Sequence, residues 1–135
     1  MKTPSSLKLR RKSRVLEVSY ADGAKHPLPF EYLRVFSPSA EVRGHGGGEF
    51  ALVPGKRNVG IERIEPVGSY AVRLGFDDGH DTGLYTWDVL EDLALHHDEY
   101  WQHYLARLQQ HGLTRDSAIT KLSALPAAPQ KWKPK

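Results

Sequence analysis

The chain has 135 residues, no cysteine and a formal net charge of +3. That length is one domain plus tails, enough to bury a core without staples, and the missing thiols exclude disulfides, cysteine-based catalysis and iron–sulfur clusters held by cysteine alone. The charge is segregated: residues 1–14 carry six basic groups and no acid, residues 116–135 carry four basic groups and Asp116, and the segment between holds nine bases against fifteen acids.

An acidic body with basic ends argues against nucleic-acid binding, which ordinarily uses a structured basic face with interleaved aromatic residues. The basic ends read instead as solvated arms. No run of about eighteen apolar residues exists, so no membrane span is expected. The basic start Met1–Arg14 has no hydrophobic stretch behind it, which predicts no signal peptide and a bacterial-type cytoplasmic protein.

Residues 1–6 are expected to form a disordered basic N-terminus, followed by one domain over 7–115. Val15 to Tyr20 is rich in β-formers, and Ala21-Asp22-Gly23 supplies a turn that reverses the chain into a second strand near His26 to Leu28. Pro29 then opens a short helix over Phe30 to Val35, because proline is tolerated where the first helical amide has no partner. From Ser37 to Arg57, glycines and Pro54 predict a long loop that contains His45, and loops of that length are commonly functional.

Val59 to Ile64 and Tyr70 to Phe76 read as two further strands. In the second, Tyr70, Val72, Leu74 and Phe76 alternate with Ala71, Arg73 and Gly75, the period of a strand with one buried face. Asp77-Asp78-Gly79 turns the chain toward a strand at Gly83 to Tyr85, giving four or five antiparallel strands. Thr86 is the expected N-cap of a helix from Trp87 to Leu95, and Asp98 that of a second helix ending at Gly112. Trp101, Tyr104, Leu105 and Leu108 form its docking stripe. Residues 116–135 read as a disordered Ala/Pro/Lys tail, since Leu125, Pro126, Pro129 and Trp132 cannot close a core.

Two segments carry a resemblance. They are Leu33-Arg34-Val35-Phe36-Ser37-Pro38-Ser39-Ala40-Glu41-Val42-Arg43-Gly44-His45-Gly46 and Phe76-Asp77-Asp78-Gly79-His80-Asp81-Thr82-Gly83-Leu84-Tyr85-Thr86-Trp87. Together they resemble the domain that precedes the catalytic domain in gamma-butyrobetaine hydroxylase, found alone in bacteria as the DUF971 family of unknown function. The resemblance runs from about Leu7 to Arg115. It implies a zinc module in which three cysteines just after a Leu-Arg pair and one histidine hold the metal. Here the cysteine positions read Ser37, Ser39 and Val42, and only His80 is kept, so the chain resembles a stand-alone member lacking the zinc ligands. Hydroxyls and a valine cannot replace thiolates around zinc. The resemblance also implies a role in a subunit interface beside an oxygenase, or fusion to P-loop ATPases that carry iron–sulfur clusters.

Several chemical readings remain open beside it. His45 and His80, with Glu41, Asp78 or Asp81 nearby, are of the types that bind zinc or iron; each histidine can equally organise its loop by hydrogen bonding. His96-His97-Asp98 has the His-x-Asp spacing of two-histidine-one-carboxylate oxygenases, but at a helix junction and without the larger β-domain such chemistry uses. His45-Gly46-Gly47-Gly48 lacks the nucleophile turn an esterase oxyanion loop requires. Gly55-Lys56-Arg57 lacks the first glycine and the magnesium-binding hydroxyl of a phosphate loop. Asp77-Asp78-Gly79-His80-Asp81 gathers carboxylates around a histidine, as an acid–base pair would, yet Asp-Gly is also ordinary turn chemistry. Tyr85, Trp87, Tyr100, Trp101 and Tyr104 supply either core or a partner-binding patch.

The expected fold is α+β: a small, mainly antiparallel sheet, a short helix after the first hairpin, and a C-terminal helical pair on one face. The expected function is a non-catalytic accessory or interaction module with a protein partner or self-association and no cofactor. The alternative is a metal-binding protein that uses His45 and His80 for zinc or iron.

Overall fold

The computed structural model describes residues 2–39 and 51–116. Ser6–Arg10 (β1), Val15–Ser19 (β2) and Lys25–Pro29 (β3) form an antiparallel sheet in the order β1-β2-β3. The short helix Phe30–Val35 (α1) follows directly. Ile61–Val67 (β4), Ala71–Phe76 (β5) and Leu84–Thr86 (β6) form a second antiparallel sheet in sequence order. Trp87–Leu95 (α2) and His97–Gln110 (α3) close the fold. The class is α+β as expected, with the strands divided between two three-stranded sheets.

The local signals act as turn and cap chemistry predicts. At the β2–β3 turn Gly23 has φ of +93°, and the Asp22 carboxylate accepts a hydrogen bond from the Ala24 amide at 3.0 Å. Thr86 caps α2 by accepting the Val89 amide at 3.2 Å. Gly112, at φ +66°, ends α3 with Gly112 N donating to Gln109 O and Leu113 N to Leu108 O, the paired bonds of a left-handed helix stop. The expected Asp98 cap is corrected. His96 alone separates α2 from α3 and is the cap residue, while Asp98 and Glu99 lie in the first turn, where the helix dipole favours acids.

The basic N-terminal stretch, expected to be a solvated arm, enters the sheet at Ser6. Leu7 and Leu9 pair with Val18 and Leu16 and pack against the core. The turn into β2 ends on Arg14, a non-glycine residue at φ 60°, where an L side chain costs about 1 kcal/mol or more. That position is held by the Arg14 guanidinium, which donates to the Val59 carbonyl and lies over the Phe30 ring at 5.9 Å. Arg11 likewise donates to the Ile61 carbonyl at 2.8 Å. Two arginines of the first hairpin thus fasten it to the start of the second sheet.

The core draws on every element but β1, whose leucines only flank it: Leu16, Leu28, Tyr32, Leu33, Leu52, Ile61, Leu74, Tyr85, Leu90 and Leu93 are fully buried, and Tyr100, Tyr104 and Leu108 of α3 nearly so. Each such side chain contributes about 1.5–3 kcal/mol on leaving water. Tyr32, Tyr85, Tyr100 and Tyr104 each give their phenol a partner, as burial favours, whereas the Tyr20 hydroxyl is buried without one among the described residues. Tyr32 donates to Leu93 O at 2.7 Å, Tyr104 to Val53 O at 2.6 Å and Tyr100 to the Asp92 carboxylate at 2.8 Å. Beyond α3 the chain returns to the segment before β4. Gly55 N donates to Thr114 O and Arg57 N to Arg115 O, and Arg115 grips the buried Glu31 of α1. Asp116 pairs with Arg57 at 2.6 Å. The rest of the tail, 117–135, and the loop residues 40–50 lie outside the described residues.

Candidate functional site

The end of α1 delivers Ser37 and Ser39, and the β5–β6 connection delivers Asp78, His80 and Thr82, to one polar cluster, buried at Ser37, Ser39 and His80 and reaching solvent at Asp78 and Thr82. Ser37 is fully buried, and His80 and Ser39 are nearly so. Ser37 Oγ and His80 Nε2 share a hydrogen bond of 2.9 Å. The Ser39 amide donates to Ser37 Oγ at 3.3 Å, and the Ser39 and Thr82 hydroxyls are 2.7 Å apart. Gly83 makes this closeness possible: a Cβ there would collide with Ser37 Oγ and come within 3.1 Å of the Tyr85 ring.

Beside it lies a charged hub. Asp78 Oδ2 accepts from Arg34 Nε at 2.9 Å and from Lys56 Nζ at 2.6 Å, and Oδ1 accepts the His80 amide at 3.1 Å. Burial by itself would raise the Asp78 pKa, but the Lys56 hydrogen bond, the Arg34 charge and the His80 amide outweigh it and hold the group at about 2. Asp78 is therefore an ionised anchor, fixing the turn that carries His80. Gly79, at φ +90°, gives that turn its sharpness, and Phe76 N donates to His80 O at 2.9 Å to close it. A polar cleft of about 290 Å³, lined by Gly55, Lys56, Asn58, Val59, Asp77, Asp78 and Asp116, opens next to the Lys56–Asp78 pair.

The structure thus brings Ser37, Ser39 and His80 together. Val42 and His45, and with them the proposed partner of His80 in metal binding, lie outside the described residues. Asp78 is occupied by two cations, and Asp81 faces Arg63 at 3.5 Å on the surface. Among the described residues no three histidine, aspartate or glutamate side chains are placed to hold a metal ion. In the His96-His97-Asp98 run, His96 Nδ1 is engaged by Asp92 at 3.0 Å, the His97 ring lies against Tyr32 at 4.4 Å, and Asp98 points to solvent. Burial lowers the His97 pKa. Lys56 of the Gly55-Lys56-Arg57 turn is buried on Asp78. Of the aromatic group, Tyr85, Tyr100 and Tyr104 are core, while Trp87 and Trp101 are half-buried; Trp87 Nε1 donates to Ser69 O at 2.8 Å.

Reading the residues had not singled out Arg34 or Thr82, or Lys56 as the partner of Asp78. Arg34 and Thr82 do sit inside the two segments that carry the resemblance. No helix among the described residues is long and apolar enough to cross a membrane.

The family model described as gamma-butyrobetaine hydroxylase-like, N-terminal, matches residues 7–91. Two proteins known from NMR solution structures are similar over most of their length. One is 47% identical with a TM-score of 0.76, covering 90% of this chain and 95% of that one. The other is 52% identical with a TM-score of 0.75, covering 89% and 92%. A crystal structure of a protein of unknown function of the DUF971 family, from Acidithiobacillus ferrooxidans, is 41% identical with a TM-score of 0.58 and covers 68% and 92%. No curated protein matches.

Proposed function

Since the chain belongs to the gamma-butyrobetaine hydroxylase-like N-terminal family, which includes DUF971 proteins, we propose that it works as a non-catalytic accessory module. Its task is contact with a protein partner or with a second copy, in the cytoplasm. The observation that carries this reading is the 2.9 Å hydrogen bond between Ser37 and His80. It ties a position where the resembled zinc module has a thiolate to the one metal ligand that is kept, so the two groups satisfy each other where the resembled module would place an ion. Ser37 is fully buried, which denies it a nucleophile's access to substrate, and Asp78 is neutralised by two cations.

The test combines metal content, stability and partner capture on the full chain. Elemental analysis should find no stoichiometric zinc or iron, chelation should leave the melting temperature unchanged, and affinity purification from its own cells should return a stoichiometric protein partner. A chelator that lowers the melting temperature would overturn this reading in favour of metal binding through His45 and His80. Turnover of any substrate by the purified chain would overturn it in favour of an enzyme.

A further inference from the structure

We propose that the outer edge of β1 docks an extended acidic segment of a partner protein, which joins the first sheet as a fourth strand. The inference rests on the reading of the chain as an interaction module and names the surface and the chemistry of its partner.

Among the described residues the two sheets end on β1, β3, β4 and β6. Free strand edges template unwanted pairing, and proteins blunt them with prolines, bulges, short length or charged side chains, lysine above all. β1 carries only the last of these, Lys8 and Arg10, and a charged guard repels a strand of its own sign but not one of the opposite sign. Three of these edges are blunted. β3 carries Pro27 and Pro29, which offer no amide to a further strand. β4 breaks register between Ile61 and Arg63 and carries Pro66. β6 has three residues. By contrast, β1 keeps continuous register with β2 from Ser6 to Arg10, without proline or bulge. No strand among the described residues pairs with its outer side. Leu7 and Leu9 are half-buried at this edge, so an added strand would also cover apolar surface.

The charges select the occupant. Lys8 faces Glu17, and Ser19, two residues along from Glu17, faces Lys25; Arg10 reaches Glu17 at 3.1 Å. Lys8, Arg10 and Lys25 therefore share one carboxylate on that face of the sheet, and Lys8 and Arg10 are exposed. A second copy pairing β1 with β1 would bring these cations up against their own kind, and like charges across strands are destabilising. A strand with Asp or Glu at alternate positions meets the same cations with the opposite sign, while its backbone completes the ladder.

The experiment titrates the isotope-labelled full chain with a capped peptide alternating glutamate with valine and threonine, with the lysine-for-glutamate counterpart, and with a single-stranded oligonucleotide. The acidic peptide should shift the Ser6–Arg10 amides and protect alternate ones from hydrogen exchange. The basic peptide should not, and the Lys8→Glu/Arg10→Glu variant, with the rest of its spectrum unchanged, should bind the acidic peptide at least tenfold more weakly. Shifts that map elsewhere, equal binding of both peptides, β1 shifts produced by raising the protein concentration alone, or preferential binding of the oligonucleotide would each overturn the assignment. A cellular partner captured equally by parent and variant would overturn the β1 edge and leave the module reading intact. Absence of any partner for the parent removes the module reading, and the peptide titration still decides the edge.

Discussion

Arg115→Ala removes the contact that ties the end of the fold to α1. The Glu31 carboxylate is 6% exposed and is gripped by Arg115 through Nε at 2.9 Å and Nη2 at 2.5 Å, while the guanidinium lies over Trp101 at 5.3 Å. Removing one partner of a fully buried pair costs about 3–5 kcal/mol, because the other charge stays buried without compensation. Here the arginine side chain is 32% exposed, so water can reach the vacated space and the expected loss falls to about 2–3 kcal/mol. At about 4 °C per kcal/mol for a domain of this size, the melting temperature should drop by about 10 °C. Urea unfolding followed by tryptophan fluorescence measures the loss, with Trp101 as the local reporter. The same substitution in a Glu31→Gln background should cost less than half as much, since no stranded charge remains. A loss below about 0.5 kcal/mol, or equal losses in both backgrounds, would show that the clasp holds nothing.

The remaining predictions concern the polar cluster. Gly83→Ala drives a methyl into Ser37 Oγ and should destabilise by about 1–3 kcal/mol, as overpacking does; a thermal melt unchanged within about 0.5 kcal/mol would contradict the close approach. The Asp78 pKa, lowered from 3.8 to about 2, marks a stabilising charge that is fully present above about pH 4 and lost as the pH falls through 2. Because water reaches this turn and screens the pair, stability should fall by only about 1 kcal/mol over that window, and Asp78→Asn, less stable at neutral pH, should show a flatter acid limb in chemical denaturation. If His80 still stands where a metal ligand would, the Ser37→Cys/Ser39→Cys/Val42→Cys variant should bind cobalt with thiolate charge-transfer absorption and gain a metal-dependent rise in melting temperature. A parent-like spectrum would mean that the cluster has drifted too far to close around an ion.

Legibility in the sequence followed the range of each interaction. The Asp22-Gly23 turn, the Pro29 start of α1, the Thr86 cap and the Gly112 stop are settled by chemistry within a few residues, and each was readable. The β1–β2 turn was not, because its left-handed residue is Arg14, a type that carries no turn signal, and the surrounding cations masked the Leu7 and Leu9 alternation. Asp98 looked like a cap because an acid before an apolar stripe is the usual sign of one, but α3 begins one residue after α2 ends, which leaves the capping place to His96. In the cluster, Ser37 and Ser39 were marked by resemblance alone, whereas His80 also stood out as a histidine among the carboxylates of residues 77–81. The pairs that secure the surroundings join residues 44, 22 and 84 positions apart, and no local pattern announces a salt bridge at such separations.

Those long-range pairs bear on what holds together the two segments that meet at Ser37 and His80. A structural zinc ion supplies on the order of 10 kcal/mol of folding free energy, whereas the Ser37–His80 and Ser39–Thr82 hydrogen bonds contribute about 1 kcal/mol each. The hydroxyls can therefore satisfy the buried polar atoms without holding the two segments together. What holds them is the pairing of Asp78 with Arg34 and Lys56, which joins the turn before His80 both to α1 and to the segment before β4. Tyr85 adds to it by donating to Leu33 O at 2.5 Å. Each of these contacts links a chain segment from one side of the cluster to one from the other, as a metal ion would, but it does so from the periphery. The Ser37–His80 and Ser39–Thr82 hydrogen bonds then need only satisfy their own polar atoms, while the charged pairs carry the tie between the segments.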